Sequence, residues 1–389
     1  MDASRHEQAP IMHSLDEDLG CAARRGRFSA SPQNWALQSN DNSHTASPNV
    51  NPDSLEYPFG TSPEGAAPQT VAPGVAWLRM ALPFALNHIN LWLIEDGPGI
   101  AIVDTGLGDD ASRAAWDAVL ATLDKPVTQI IVTHYHPDHV GNAEWLSRLS
   151  GAPVWMSTGE YLLAHTLLHE TAGYDVAAMV DHFRRHGLDE DRCGRLARRG
   201  NVYARGVPEL PRAYRRIVAG DRLRIGTHTW EAIVGYGHSP EHMALYCAGL
   251  GVLISGDMLL PRITTNVNVP AALPDEDSVS RFLDSVRRFA PLPADTLVLP
   301  SHGAPFFGVH ARIAQLEAHH EERDATLLAA LDVPRSAAEV LPVLFPRELD
   351  SHQVMFAMGE AIAHLNQLMV RGSVRRIEDG NRVRFVAVT

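Results

Sequence analysis

Between Thr133 and His139 the chain reads Thr-His-Tyr-His-Pro-Asp-His, which puts four side chains able to bind a metal (His134, His136, Asp138, His139) into six residues. The apolar run Gln129-Ile130-Ile131-Val132 precedes them and reads as a strand. In an extended segment His134 and His136 point the same way, because side chains alternate with period 2. The loop beyond Pro137 then turns Asp138 and His139 toward a second ion. An ion takes about four ligands, so one loop cannot finish two sites. Three later segments each end an apolar, β-like run on a further His or Asp: Ile233 to Gly237 before His238, Val252 to Gly256 before Asp257, and Leu297 to Ser301 before His302. Together these segments supply the ligands that a two-ion site lacks.

From about residue 70 to about residue 305 the chain carries, in order, Val103-Asp104-Thr105-Gly106, the His-rich run, Gly237-His238-Ser239, Ser255-Gly256-Asp257 and Ser301-His302-Gly303. This succession resembles the metallo-β-lactamase superfamily. The resemblance implies an α+β fold, a four-layer αβ/βα sandwich with the metals at one edge between the sheets. It implies one ion on His134, His136 and His238, a second on Asp138, His139 and His302, and Asp257 bridging them. Asp138 and Asp257 are the catalytic residues it points to. Two adjacent divalent ions acidify the water between them and polarise the scissile oxygen. Zinc is the natural expectation from five His and two carboxylates, while manganese or iron suits the same donors. True metallo-β-lactamases resemble this chain in the His-rich run but generally carry Cys or Ser where Asp257 stands, so the glyoxalase II-like and RNase-like branches are favoured. Asp104 is expected to orient a ligating imidazole from behind. His242, four residues after His238, is expected to buttress that loop.

Composition narrows the alternatives. The chain has 389 residues, 45% of them hydrophobic and 20% charged, enough for two domains and a sizeable core. No apolar run approaches the roughly 18 residues that span a bilayer, and Met1 to Pro10 lacks the apolar centre of a signal peptide. A cytoplasmic location without a membrane partner is expected. Cys21, Cys193 and Cys247 are widely separated and form no disulfide framework or Cys-type zinc pattern. A net charge of −13 disfavours a generic nucleic-acid binder. Between Asp181 and Arg216, however, ten Arg face five acids. Read as a helical insert beside the site, that segment offers cations to an anionic substrate; read as a solvated helix face, it offers nothing.

Along the chain, residues 1–55 lack periodicity and read as a disordered tail. Residues 56–310 read as the catalytic domain, interrupted over 158–216 by the helical insert, and residues 311–389 as a connecting helix with a small C-terminal domain. Asp109 caps a helix to Leu123, and helices are expected over Gly141 to Leu149, Ser278 to Phe289, Arg312 to Leu331, Ser336 to Leu344 and Ser351 to Val370. A terminal hairpin turns at Asp379-Gly380-Asn381. Helix, helix, hairpin is the order of a winged-helix unit, and this tail resembles the C-terminal domain of the beta-lactamase-like protein 2 family. Arg375, Arg376, Arg382 and Arg384 make the wing basic, suited to RNA, or else the unit is a packing appendage, including one against a second copy of the chain.

The leading expectation is a hydrolase of thioesters, esters or lactones in an anionic small molecule. The alternatives are an endoribonuclease and a non-catalytic metal-bound sensor. The loop from Pro261 through Arg262, Ile263, Thr264 and Thr265 to Asn266, together with Asn87, His88 and Asn90, supplies candidate substrate contacts. His310, His319, His320, His352 and His364 are read as ordinary surface or core residues, and helical spacing accounts for His165, His169 and His182.

Overall fold

The structure, a computed structural model, describes residues 54–388 apart from 64–66, 85 and 124. All but the last two residues of the expected tail, and Cys21, lie outside the described residues.

Strands β1 (Gln69–Ala72), β2 (Val75–Ala81), β3 (His88–Asp96) and β4 (Gly99–Val103) form an antiparallel meander. Helix α1 (Asp110–Thr122) crosses to β5 (Val127–Ile131), and α2 (Pro137–Val140) and α3 (Ala143–Ser150) lead to β6 (Val154–Met156). The expected insert is helical: α4 (Thr158–Leu168), α5 (Val176–Arg185), α6 (Glu190–Arg199) and α7 (Tyr203–Gly206), ending in the short β7 (Arg215–Arg216). Then come β8 (Arg222–Ile225), β9 (His228–Gly235), β10 (His242–Cys247), β11 (Val252–Gly256), α8 (Ser278–Val286) and β12 (Leu297–Pro300). The chain closes with α9 (Val309–Ala330), α10 (Ala337–Leu344), α11 (Ser351–Val370) and the hairpin β13 (Val374–Asp379) and β14 (Arg382–Ala387).

Two sheets result, a seven-stranded one in the order β1 to β7 and a five-stranded one in the order β12-β11-β10-β9-β8. They face each other across Trp77, Trp92 and Val103 on one side and Trp230, Leu245, Ile254 and Leu299 on the other, all buried. Burying side chains of this size contributes roughly 2–3 kcal/mol each. α1 and α3 cover the outer face of the first sheet and α8 that of the second. This is the expected four-layer α+β sandwich. β4 and β5 run parallel in its middle, which is why β4 reads as an unbroken apolar run rather than an alternating one. The strand carrying the metal loop thus ends at an edge fixed by both neighbours.

Local signals agree with this order. Asp109 accepts from the Ser112 N–H at 2.8 Å to start α1, and capping boxes start α10 (Ser336 with Glu339) and α11 (Asp350 with Gln353). A second buried cluster joins Leu253 and Val298 of the sheet to Phe282, Leu316, Ile362 and Phe385, so the C-terminal helices complete the outer layer. The hairpin is less free than its arginines suggested. Arg376 pairs with Asp275 at 2.5 Å and Glu378 at 2.7 Å. Among the described residues no helix is long and apolar enough to cross a membrane.

His182 and His186 lie where α5 meets the hairpin; His186 stacks on Phe385, and its Nδ1 meets the His182 carbonyl at 3.0 Å. Because a carbonyl only accepts, His186 Nδ1 carries the proton there. Burial pushes both imidazoles down to about 4, helped for His182 by His186 and for both by Arg376 and Arg185, against Asp275. Both are neutral when folded, whereas in the unfolded chain each takes a proton near its usual 6.5. The unfolded state therefore binds more protons between about pH 6.5 and 4, and stability falls as pH falls through that window, by about 2 kcal/mol per imidazole at pH 5. With chelator present, the urea midpoint is expected to drop less between pH 7 and pH 5 in the double variant His182→Gln, His186→Gln than in the unaltered chain. Equal drops would contradict this.

Candidate metal centre

His134 and His136 follow β5, Asp138 and His139 lie on the short α2, and His238, Asp257 and His302 follow β9, β11 and β12. The structure brings them into two clusters, His134, His136, His238 with Asp257, and Asp138, His139, His302, each with ligand atoms within 4.8 Å of one another. His134 Nε2 lies 2.8 Å from His136 Nδ1 and 3.2 Å from His238 Nε2. Ligands on one tetrahedral zinc stand about 3.3 Å apart, so this spacing suits such an ion. Asp257 faces both clusters: Oδ2 is 3.5 Å from His238 Nε2, while Oδ1 is 3.5 Å from His139 Nε2 and 3.6 Å from His302 Nε2. Asp138 Oδ2 completes the second cluster, 3.5 Å from His302 Nε2. His139 Nε2 and Asp257 Oδ1 are buried with no hydrogen-bond partner. Such atoms cost about 1–3 kcal/mol each when left unsatisfied, and a cation between them removes that cost. The donor set fits a divalent ion in each cluster.

The nitrogens facing away from the clusters are held as well. His139 Nδ1 meets Asp104 Oδ2 at 2.8 Å, His238 Nδ1 donates to the Asn266 carbonyl at 2.7 Å, and His302 Nδ1 donates to the His88 carbonyl at 2.7 Å. These contacts fix which nitrogen keeps a lone pair for the metal. Asp104 also accepts from the Thr133 N–H at 2.8 Å and the Thr133 hydroxyl at 2.9 Å. It does so from the left-handed backbone region, at φ 62°, a conformation short polar side chains tolerate best. His242 accepts from the Asp257 N–H at 3.1 Å, which sets where the shared carboxylate begins. Gly256, at φ 55°, lies so close to the His242 ring that a Cβ there would collide with it.

Electrostatics match a cation site. Burial, with neighbouring imidazoles, holds His134 and His136 well below the usual imidazole range, so both present lone pairs. Burial opposes charge on His139, yet Asp104, Asp138 and Asp257 raise it to about 10. Burial likewise opposes charge on Asp257, but His302, His139, His238 and His136 hold its carboxyl well below the usual range. A ligand must shed its proton to bind metal, and at His139 a cation would take the place of that proton beside the same carboxylates.

Several expected substrate contacts have other partners. Asn90 is fully buried; its side-chain amide donates to the Pro300 and Gly303 carbonyls at 2.8 Å and its oxygen accepts from Trp77. It joins the first sheet to the His302 loop and touches no cleft. His88 Nε2 accepts from the Gly303 N–H at 2.8 Å, and Asn87, which is exposed, caps its other nitrogen at 2.8 Å. In the loop after Asp257, the Thr265 hydroxyl donates to the Asp257 carbonyl at 2.5 Å, and Arg262 lies over the Tyr57 ring at 5.5 Å. That loop supports the ligands before it meets any substrate. Three of the ten insert arginines pair with nearby acids: Arg184 with Glu190 at 2.8 Å, Arg192 with Asp189 at 3.6 Å, and Arg195 with Asp191 at 2.5 Å. The insert reaches the metal loop instead through Glu160 and Tyr203, which sequence reading did not single out. An acid in the first turn of a helix is ordinary, so nothing in the sequence marked Glu160.

Comparison with known proteins agrees with this geometry. Residues 86–302 match the metallo-beta-lactamase superfamily, and residues 325–388 match the metallo-beta-lactamase-like C-terminal domain. A beta-lactamase domain protein from Burkholderia ambifaria is 44% identical, with a TM-score of 0.80 over 86% of this chain and 98% of its own. A metallo-beta-lactamase family protein from Thermus thermophilus is 30% identical, with a TM-score of 0.71 over 82% of this chain and 100% of its own. Among curated proteins, "Probable metallo-hydrolase YqjP" of Bacillus subtilis is 24% identical over 79% of this chain and 96% of its own length. A hydroxyacylglutathione hydrolase of Rhodospirillum rubrum is 25% identical over 56% of this chain and 62% of its own length. Fold, paired clusters and both matched regions together place the chain in the metallo-beta-lactamase superfamily, as a metal-dependent hydrolase.

Proposed function

We propose that the chain uses two divalent ions, zinc by preference, to hydrolyse a thioester, ester or lactone bond in an anionic small molecule. The observation that carries this reading is Asp257, whose two carboxylate oxygens face different clusters at 3.5 Å. Sequence similarity to enzymes named hydroxyacylglutathione hydrolase supports an acyl-thioester as the substrate class. His134, His136 and His238 would hold one ion, Asp138, His139 and His302 the other, and Asp257 would be shared. When bound, such ions acidify water at neutral pH and polarise the oxygen of the scissile group. The chain's own contribution is orientation. Asp104 keeps the His139 lone pair outward, and the Asn266 and His88 carbonyls do the same for His238 and His302.

The endoribonuclease reading has less support, since Arg376 of the expected basic wing is paired with Asp275 and Glu378. The test is a panel of an acyl-glutathione, an acyl-coenzyme A, a lactone and single-stranded RNA, each with and without chelator. Chelator-sensitive turnover of a thioester or lactone is expected. Cleavage of RNA alone, or loaded protein that turns over nothing in the panel, would overturn the proposal.

A further inference from the structure

We propose that Glu160 is a positioning residue for one of the two ions: a buried strut that fixes the spacing of His134 and His136 against His238. The inference rests on the two-ion reading above. His134 and His238 stand 104 positions apart in sequence and are carried by different sheets, so the distance between them depends on whatever ties the two loops together. Glu160 projects from the first turn of α4 and is fully buried. Its Oε2 accepts from the Tyr135 N–H at 2.9 Å, the peptide between the two ligands of the metal loop. Its Oε1 accepts from the Ser239 hydroxyl and the Glu241 N–H, both at 2.6 Å, beside His238. One carboxyl group thus links both loops through three donors.

The surroundings of α4 reinforce the strut. The Gly159 N–H donates to Glu241 Oε2 at 2.7 Å, and the Ser157 hydroxyl to the Glu241 carbonyl at 3.0 Å, so the start of the helix is fastened to the His238 loop. From the far end of the insert the Tyr203 hydroxyl donates to the Tyr135 carbonyl at 2.8 Å. Both backbone groups of Tyr135 are therefore held by the insert. A backbone bond, Met243 N–H to the Thr133 carbonyl at 2.9 Å, also joins the start of the metal loop to β10. The second cluster uses other supports, Asp104 for His139 and the His88 carbonyl for His302. Loss of the strut should therefore weaken one ion and spare the other.

Glu160→Gln keeps the shape of the side chain and replaces one acceptor oxygen with a donor. Whichever way the amide turns, its NH2 meets a backbone N–H, of Tyr135 or of Glu241. The full chain, stripped by chelator, is titrated with zinc against a chromophoric chelator and then with cobalt(II), whose visible absorption reports the geometry of each ion. The variants His238→Ala and His302→Ala identify which ion is which. In Glu160→Gln the ion missing from His238→Ala is expected to bind about 10–100-fold more weakly, the range seen when an outer support of a metal ligand is removed. Its cobalt band should change, and the ion missing from His302→Ala should keep both affinity and spectrum. Equal losses at both ions, or no change at either, would overturn the proposal. Should Glu160→Gln lose its far-UV circular dichroism, Ser239→Ala removes one of the three donors and is read the same way, with a shift of a few-fold expected at the same ion and none overturning the idea. An unaltered chain that binds no zinc would contradict the two-ion reading itself.

Discussion

Asp257→Ala is expected to lower turnover by about 10³-fold or more and to reduce bound metal from about two ions per chain to one or fewer. The reason is that no other ligand faces both clusters: Oδ2 stands 3.5 Å from His238 Nε2 and Oδ1 3.5 Å from His139 Nε2. On the two-ion reading, alanine would remove a donor from each ion at once, together with the negative charge that would offset two cations held close together. Lewis-acid stabilisation is worth several kcal/mol, and about 4 kcal/mol of barrier corresponds to 10³ in rate. Elemental analysis of dialysed protein and turnover on the thioester found active in the panel provide the check. Full metal content with rate unchanged would mean that Asp257 does not bridge.

The second large effect is at Asp104, where one carboxylate accepts from the Thr133 N–H, the Thr133 hydroxyl and His139 Nδ1. Asp104→Ala strands a buried peptide N–H and a buried imidazole, and breaking such a pair costs about 3–5 kcal/mol. Adopting φ 62° with an alanine adds roughly 1 kcal/mol. Asp104→Asn separates folding from ligation. Asparagine tolerates the left-handed backbone and still accepts from Thr133, but its amide NH2 meets His139 Nδ1 and favours the tautomer whose proton sits on Nε2, the atom the ion needs. The alanine variant is expected to shift the urea midpoint strongly. The asparagine variant should shift it little while the second ion binds about 10–100-fold more weakly. Asparagine and alanine variants with the same midpoint, or an asparagine variant with full affinity, would contradict the tautomer argument.

The residues that gather in the two clusters were legible because an apolar run precedes each group, the His134 to His139 loop, His238, Asp257 and His302, and a strand that stops at a polar residue places that residue at the sheet edge. Helix starts were legible for a local reason: Asp109, Ser336 and Asp350 each accept from a backbone N–H of the first turn, a bond that depends on neighbours in sequence. Asp104 and His242 were also visible, the first through its place in Val-Asp-Thr-Gly and the second through its spacing from His238. What stayed hidden depends on distant partners. Asn90 looked like a cleft residue because a strand pattern does not show that its amide meets carbonyls 210 and 213 positions away. Three of the insert arginines looked available to a substrate because a charge count does not show that Arg184, Arg192 and Arg195 each find an acid one or two turns away. Surface pairs of this kind add about 0–1 kcal/mol, so they decide little about the fold and much about which cations remain for a ligand. Glu160 was hidden for the same reason as Asn90, since its three donors come from residues 25 to 81 positions distant.

Two ions shared by one carboxylate is the central claim, and an anomalous-difference map from crystals of the zinc-loaded chain tests it most directly. The account predicts two peaks, one about 2.0–2.2 Å from ligand atoms of His134, His136 and His238, the other at the same distance from Asp138, His139 and His302, with Asp257 touching both. A single peak, or two that leave Asp257 bound to only one, would contradict it.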